Sequence, residues 1–271
     1  KVVFTWEYRT FNGKDKVLTA ATDLFPRTEV VSVNLSKPSP KVERPYPELS
    51  YVQINLSLKT DIIGASIVAN LVNTPSGLRI WTLQSAIESL VQFPELPNRD
   101  GHMIGDLSWH NQRLKDHEFE DGDPEVVIVG GGQNGLMTAA RFKALGVRAL
   151  IIERNARIGD NWRGRYEALS LHFPHWADHF PYMPYPEHWP VYTPAGKLGD
   201  FLEWYTSALE LYVWTSSSVT NVKQESDNSW TVEVNRGGKG SRVVKPKHLV
   251  LATSLAGVPY APKAPGQDKF K

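Results

Sequence analysis

The sequence predicts an α/β protein in which a parallel-sheet domain, residues 125–271, follows a smaller α+β domain. The first observation is the wholly apolar run Val126–Val129, which is typical of a strand buried on both faces of a parallel sheet. The second is a glycine-rich turn that leads into a predicted helix over residues 136–145, closed by Gly146. The third is another apolar run at residues 147–152. This strand–helix–strand order predicts two parallel strands joined by a crossover helix.

The first 95 residues follow a different pattern, in which short alternating segments are separated by turn-forming residues. One helix is predicted over residues 15–25. Strands are predicted over residues 2–6, 29–35, 51–58 and 78–84. Several strands with few helices favour a curved, mainly antiparallel sheet, and so an α+β domain over residues 1–95. Residues 96–124 are charged and polar and contain proline and glycine, a composition that predicts a linker.

Three further elements are predicted in the second domain. A helix over residues 197–211 follows from apolar residues that recur on one helical face. These residues are Leu198, Phe201, Leu202, Tyr205 and Leu209. Residues 218–234 and 243–253 have the composition of strands, with a turn at Gly237 and Gly238 between them.

Composition excludes several classes of function. The 30 basic and 29 acidic residues leave a net charge of +1, which is not the footprint of a nucleic-acid-binding protein. The chain has no cysteine, so disulfides, thiolate metal sites and cysteine nucleophiles are excluded. No apolar stretch approaches the roughly 20 residues that a membrane span needs. The composition indicates neither a nucleic-acid partner nor a membrane span, and we expect a cytoplasmic protein.

The glycine turn has the spacing G-x-G-x-x-G, the Rossmann-type dinucleotide fingerprint. Gly130 permits the tight turn out of the strand, and Gly132 lets the backbone approach a pyrophosphate. Gly135 lets the helix pack close to the sheet. Gln133 and Asn134 begin the helix, whose free N–H groups and dipole favour phosphate. The sequence thus predicts a dinucleotide site at this turn.

Glu153 ends the second predicted strand, about 20 residues after the turn. At this position a carboxylate accepts hydrogen bonds from the ribose hydroxyls of the adenosine. It would also repel a 2′-phosphate, so the site should hold FAD or NAD rather than NADP. The fingerprint itself does not separate FAD from NAD.

Residues 153–162, which include Arg154, Asn161 and Trp162, resemble a segment of the flavin-containing monooxygenases and the related Baeyer–Villiger enzymes. Asp160 departs from the second glycine that many members have there. The resemblance continues over residues 165–166, 169–172, 181–186, 189–190, 197–200 and 249–254. Residues 1–95 resemble part of the cone-shaped SnoaL-like domain that precedes the flavin domain in long fungal-type members.

The resemblance implies an NADPH- and O2-dependent flavoprotein monooxygenase that oxygenates nitrogen, sulfur or carbon through a flavin hydroperoxide. FAD would be bound by the glycine turn with Glu153, Arg154, Asn161 and Trp162. His172 would lie near the flavin, as a cofactor contact and the one catalytic residue. It stands where animal members carry asparagine and plant-type members carry histidine.

The resemblance also implies that the chain is incomplete. The last two residues, 270–271, would open the family's F-x-G-x-x-x-H motif, and a second G-x-G-x-x-G unit for NADPH would follow. We therefore interpret the chain as an FAD-binding fragment, expected to be inactive alone, of a protein that could form a homodimer. Two alternatives stay open: another FAD or NAD oxidoreductase, or a non-catalytic binding or oligomerisation module.

Two features of the stretch from Trp162 to Tyr205 also have alternative interpretations. Its histidines are the sort of ligand that zinc takes, but their irregular spacing and the lack of a paired carboxylate predict no metal site. These histidines are His172, His175, His179 and His188. Its many aromatic and proline residues suit the lining of a ligand site and equally a loop-rich core.

Overall fold

A computed structural model describes residues 2–3, 10–24, 28–96, 108–254 and 262–269. The chain divides into two compact units, Lys1–Glu95 and Leu96–Lys271. Most of the strand predicted at residues 2–6, part of the predicted linker and residues 270–271 lie outside the described residues. None of the described helices combines the length and the apolar character that crossing a bilayer requires.

The first unit contains one described helix, α1 (Lys14–Leu24), and a six-stranded sheet. Its strands are β1 (Val2–Val3), β2 (Val30–Leu35), β3 (Lys41–Tyr46), β4 (Leu49–Thr60), β5 (Ile63–Thr74) and β6 (Gly77–Leu90). The order is β1-β6-β5-β4-β2, and β3 also pairs with β4. All neighbours are antiparallel except β1 and β6, in agreement with the predicted mainly antiparallel sheet.

Sequence patterns missed two strands of this sheet. Strand β5 lies in the centre, where Ala65 and Ala69 are buried, so its residues do not alternate cleanly between apolar and polar. Strand β3 contains Pro45, which argues against a strand unless it lies at an edge or a bulge. Among the described strands, β3 pairs with β4 alone, and its register shifts between Glu43 and Tyr46, where Pro45 lies.

The second unit is built on a parallel sheet with the strand order β11-β8-β7-β15. Its helices are α2 (Trp109–Glu118), α3 (Gln133–Ala144), α4 (Asp160–Arg163) and α5 (Ala195–Ala208). Its strands are β7 (Val126–Val129), β8 (Ala149–Ile152), β9 (Ser170–Pro174), β10 (Tyr192–Pro194), β11 (Tyr212–Trp214), β12 (Ser218–Gln224), β13 (Trp230–Asn235), β14 (Ser241–Val244) and β15 (His248–Leu251). Strands β12, β13 and β14 form an antiparallel sheet, and β9 pairs with β10. The molecule is thus a mixed α/β protein.

The core of the second unit lies on both faces of the parallel sheet. Val126 and Ile128 belong to one buried cluster and Val127 belongs to the other, although all three are neighbours in one strand. Each of them is at most 1% exposed. Burial on both faces is the reason why this strand is apolar throughout rather than alternating.

Three predicted segments in the C-terminal part of the second unit end or divide differently in the structure. Helix α5 ends at Ala208, because Glu210 adopts a positive φ of 51° and the chain turns into the short strand β11. Three residues are too few to show a strand pattern, so β11 was missed. The strand predicted over 218–234 is a hairpin of β12 and β13, and that predicted over 243–253 divides into β14 and β15. Pro246 interrupts the second of these segments.

The linker predicted over residues 96–124 is wrong for its described part. Ser108 caps helix α2 by accepting a hydrogen bond from the Asn111 N–H at 3.2 Å. The next residue after the helix, Phe119, is 1% exposed and packs in the same cluster as Trp214. The helix itself buries no residue, so its polar sequence concealed that it is anchored to the second unit.

A candidate dinucleotide-binding site

The turn between β7 and α3 depends on two glycines. Gly130 has a φ of +112°, a conformation that residues with a side chain rarely adopt, and a Cβ there would lie 2.6 Å from the Ala252 oxygen. A Cβ on Gly135 would lie 2.0 Å from the Gly130 oxygen. The first turn of α3 therefore rests directly on the backbone of the strand that leads into it.

Gly132 has a different environment. It is the N-cap of α3, with a φ of −80°, and none of the described side chains caps the helix there. The nearest atom to an ideal Cβ on Gly132 is the Asn161 Nδ2, at 3.7 Å. The N-terminus of α3 thus offers backbone N–H groups that lack a side-chain cap beside open space, an arrangement that suits an anionic group.

Glu153 is buried behind this turn and holds it in place. One carboxylate oxygen, Oε2, accepts a hydrogen bond from the Gly131 N–H at 2.7 Å, and the other, Oε1, accepts one from the Asn155 N–H at 2.8 Å. Each oxygen has a second lone pair, so the carboxylate can still accept hydrogen bonds from two hydroxyl groups. Glu153 is therefore both part of the turn and a candidate ribose ligand.

The contact between Gly131 and Glu153 was not predicted from the sequence. A Cβ on Gly131 would lie 2.6 Å from the Ile158 Cδ1 and 3.0 Å from the Glu153 Oε2. The motif allows any residue at position 131, so the only sign of this contact in the sequence was that a glycine stands there as well. It indicates that the buried acid lies close against the backbone of the turn.

Asn161 and Trp162 lie on the short helix α4, next to the start of α3. The Trp162 indole Nε1 donates a hydrogen bond to the Gln133 Oε1 at 3.2 Å, and the Asn161 side chain faces Gly132. The Arg165 guanidinium lies 4.9 Å from the centre of the Trp162 ring. The structure thus brings Gln133, Asn161 and Trp162 together at the glycine turn.

Helix α4 is fixed to α5 by a close backbone contact. Gly159 has a φ of +90°, and a Cβ there would lie 2.3 Å from the Gly199 oxygen. Sequence reasoning found neither this contact nor the ion pairs from Arg163 to Asp200 and Glu203, because both join residues about 40 positions apart.

Arg163 supplies most of those ion pairs. Its guanidinium donates to the Ile158 carbonyl at 2.8 Å, to Asp160 at 3.1 Å and to Asp200 at 2.9 Å. Asp160 also accepts a hydrogen bond from the Arg157 N–H at 3.2 Å. Asp160 is thus the first residue of a helix and a partner of Arg163, and both roles suit an acid at this position.

Four of the predicted cofactor residues are exposed, namely Asn134, Arg154, Asn161 and His172. His172 lies in β9, and its side chain makes no hydrogen bond, ion pair or ring contact with any described residue. Arg154 is also exposed, just after Glu153. No contact among the described residues brings His172 to the glycine turn, so its proposed place beside the flavin depends on the resemblance alone.

The four histidines considered above as zinc ligands do not come together in the structure. Within the described part of the chain, no group of three His, Asp or Glu residues is placed to hold a metal ion. His175 is half-buried, with its ring 5.2 Å from that of Trp176 and 6.4 Å from that of Tyr185. The remaining three histidines are exposed.

Five aromatic residues from Phe180 onward form the core or pack against it, namely Phe180, Tyr185, Trp189, Phe201 and Tyr205. Tyr182, Tyr192 and Trp204 are exposed. Tyr185 and Trp189 stack with ring centres 4.7 Å apart, and both rings contact Phe201 of α5. The Tyr205 hydroxyl donates to the Pro181 carbonyl at 3.0 Å. The Tyr185 hydroxyl is buried with no hydrogen-bond partner among the described residues, and burial raises the pKa of Tyr185 to about 12.

Comparisons with known proteins agree with this site. Residues 123–167 match the family model described as an FAD binding domain. The chain is 32% identical over 149 residues to the indole-3-pyruvate monooxygenase YUCCA1 of Oryza sativa subsp. japonica, a match that covers 54% of this chain and 36% of that protein. It is 31% identical over 146 residues to the probable indole-3-pyruvate monooxygenase YUCCA1 of Arabidopsis thaliana, covering 53% of this chain and 34% of that protein.

Among solved structures, a flavin-containing monooxygenase from Stenotrophomonas maltophilia aligns with a TM-score of 0.46 and 25% identity. The alignment covers 52% of this chain and 42% of that chain. The chain spans about a third of the length of the curated relatives it matches. Every predicted cofactor residue except His172 lies within the FAD-binding match. Residues 123–167 of the second unit therefore match an FAD binding domain, and about half of the chain is similar in sequence to flavin-dependent monooxygenases.

Proposed function

We propose that this chain supplies the FAD-binding part of an NADPH- and O2-dependent flavoprotein monooxygenase. The observation that carries the proposal is the N-terminus of α3 at Gly132, which no described side chain caps. The nearest atom to an ideal Cβ on Gly132 is 3.7 Å away, and the buried Glu153 lies behind the turn. The parallel strand order β11-β8-β7-β15 is 3-2-1-4 in order of appearance, which supports a Rossmann-type domain.

The roles of the residues follow from their placement. The first N–H groups of α3 would bind the pyrophosphate of FAD, and the open space at Gly132 would admit it. Glu153 would accept the ribose hydroxyls with its remaining lone pairs, while it keeps the turn closed through Gly131. Arg154, exposed beside Glu153, is our candidate for a further contact with the adenosine half.

When bound, FAD would supply the oxygen chemistry, and the protein would supply binding, orientation and the exclusion of water. His172 is our candidate for a residue near the flavin, since its exposed side chain is not used by the fold. We propose a small-molecule substrate, oxygenated at nitrogen, sulfur or carbon. NADPH would be the reductant.

For the first unit we propose a SnoaL-like domain, in a cytoplasmic protein that forms a homodimer. A single six-stranded, mainly antiparallel sheet supports the domain type. The exposed apolar residues Val31, Val33 and Leu35 of β2 support a self-association surface, because large apolar side chains seldom gather on a monomer surface without a partner. Analytical ultracentrifugation of the chain tests the dimer, and a monomer at all concentrations contradicts it.

The proposed cofactor is tested by titrating the chain with FAD and following the quenching of flavin fluorescence. We expect saturable binding that NADP does not disturb. The variant Glu153→Gln should bind FAD at least about tenfold more weakly, because one acceptor oxygen becomes a donor. Glu167→Gln, a change at an exposed acid of the same domain, is the matched control and should bind normally.

The outcomes separate the alternatives. Competition by NAD for the same site would favour another oxidoreductase of the Rossmann type. Failure of the folded chain to bind FAD would contradict the proposed function and favour a binding or oligomerisation module. Circular dichroism in the absence of FAD establishes whether each variant is folded.

A further inference from the structure

The hydrogen bond between Trp162 and Gln133 fixes the orientation of a carboxamide. The two side chains meet at 3.2 Å between Nε1 and Oε1, and both residues are partly buried. An indole N–H can only donate, so the atom of Gln133 that faces it must be the carbonyl oxygen. The amide nitrogen of Gln133 is therefore directed away from the indole.

That amide nitrogen is a free donor at the candidate site. Gln133 is the first residue of α3, and its Nε2 makes no hydrogen bond with any described residue. The backbone N–H groups at the same helix end are not capped by any side chain in the described part of the chain. Two further donors on the Gln133 side chain thus lie beside the groups that would bind a pyrophosphate.

Trp162 is well placed to impose this orientation because it is itself fixed. Its ring packs against the main core cluster, and the Arg165 guanidinium lies over it. The helix that carries it is tied to α5 by the contact between Gly159 and Gly199 and by the ion pairs of Arg163. Because the fixed Trp162 already restricts the Gln133 side chain, Gln133 would lose less conformational entropy on binding a ligand.

We propose that Trp162 is a positioning residue, which turns the Gln133 carboxamide so that its amide nitrogen donates to the pyrophosphate of FAD. The inference rests on the proposed function, since it concerns the same site. It assigns Gln133 a side-chain contact with the ligand in addition to its backbone N–H. Trp162 then acts through Gln133.

Two substitutions of Gln133 separate a ligand contact from a structural role. Gln133→Leu removes the donor and the acceptor, and should weaken FAD binding by about tenfold, as expected for a lost hydrogen bond to a charged group. Gln133→Glu keeps an acceptor for Trp162 but places a negative charge beside the phosphates. The Gln133→Glu variant should therefore bind FAD more weakly than Gln133→Leu. Without FAD it should unfold at the same temperature as the unsubstituted chain.

Substitution of Trp162 tests the positioning step. Trp162→Phe keeps an aromatic ring and removes the N–H, and should weaken FAD binding by about threefold because Gln133 is no longer held. Combined with Gln133→Leu it should add no further loss, since both changes remove the same contact. Trp230→Phe is the matched control, because this partly buried indole makes no side-chain hydrogen bond with any described residue.

The result that overturns the inference is distinct from the one that overturns the proposed function. If the unsubstituted chain binds FAD and Gln133→Glu binds it equally well, the amide nitrogen does not contact the ligand. If the losses from Trp162→Phe and Gln133→Leu add in the double variant, Trp162 does not act through Gln133. If the folded, unsubstituted chain binds no FAD, the proposed function fails, and the inference fails with it.

Discussion

Sequence patterns predicted a functional role for the glycine turn and suggested one for residues 170–189, but the two segments are packed very differently in the structure. In the turn, a Cβ on Gly135 would come within 2.0 Å of backbone, so stereochemistry alone restricts the residue. In the later stretch, Tyr185 and Trp189 pack on α5, whereas His172 stays exposed. A motif that acts through the backbone can be interpreted locally, while a cluster of side chains depends on what the rest of the chain packs against it.

The largest effect should come from Gly135→Ala. The added methyl group would overlap the Gly130 oxygen, and neither β7 nor α3 can move without disturbing the core, so we expect a loss of at least about 3 kcal/mol in the free energy of unfolding. Gly196→Ala is the control, since no atom lies within 4 Å of the Cβ position in α5. That variant should be slightly more stable. Urea denaturation measures both, and equal stabilities would contradict the close packing at Gly135.

Gly132→Ala should separate folding from binding within the same turn. There is room for a methyl group, and a φ of −80° suits alanine, so the unfolding free energy should change by less than about 1 kcal/mol. The methyl group would stand where a pyrophosphate approaches, and FAD binding should weaken at least about tenfold. Urea denaturation measures the stability of the variant, and fluorescence titration measures its binding of FAD. Unimpaired FAD binding would show that the phosphates do not approach Gly132.

Substitution of Tyr185 or Tyr205 should have a smaller effect on the free energy of unfolding, and one of the two should show a gain instead of a loss. Tyr185→Phe removes a buried hydroxyl without a described partner, and should stabilise the second unit by about 1 kcal/mol. Tyr205→Phe removes a hydroxyl that donates to the Pro181 carbonyl, and should destabilise it by about 1 kcal/mol. The two variants lose the same atom from the same cluster. A destabilised Tyr185→Phe would indicate that its hydroxyl has a partner, such as bound water.

Sequence reasoning succeeded where a feature was local. The spacing of Gly130, Gly132 and Gly135, with Glu153 after the second strand, predicted the close-packed turn that the structure shows, because turn and helix geometry restrict those positions directly. The apolar run of β7 showed burial on both faces for the same reason.

Sequence reasoning failed where distant residues determine the outcome. Helix α2 looked like linker because its anchor, Phe119, lies after the helix and packs with Trp214. Arg163 and the hydrogen bond from Trp162 to Gln133 were missed because each joins elements that only the fold brings together. The glycine fingerprint predicted Gln133 as a cofactor residue and the resemblance predicted Trp162, but neither could show that the two side chains are hydrogen-bonded.

His172 should give the smallest effect on stability. Its side chain is exposed and makes no contact with a described residue, so His172→Ala should change the unfolding free energy by less than about 0.5 kcal/mol. His175→Ala, which removes ring contacts with Trp176 and Tyr185, should cost about 1 kcal/mol and serves as the comparison. If His172 lies near the flavin as we propose, its loss should also shift the visible absorption spectrum of bound FAD. A stable variant with an unchanged flavin spectrum would remove His172 from the site and leave the glycine turn as the part of this chain that binds the cofactor.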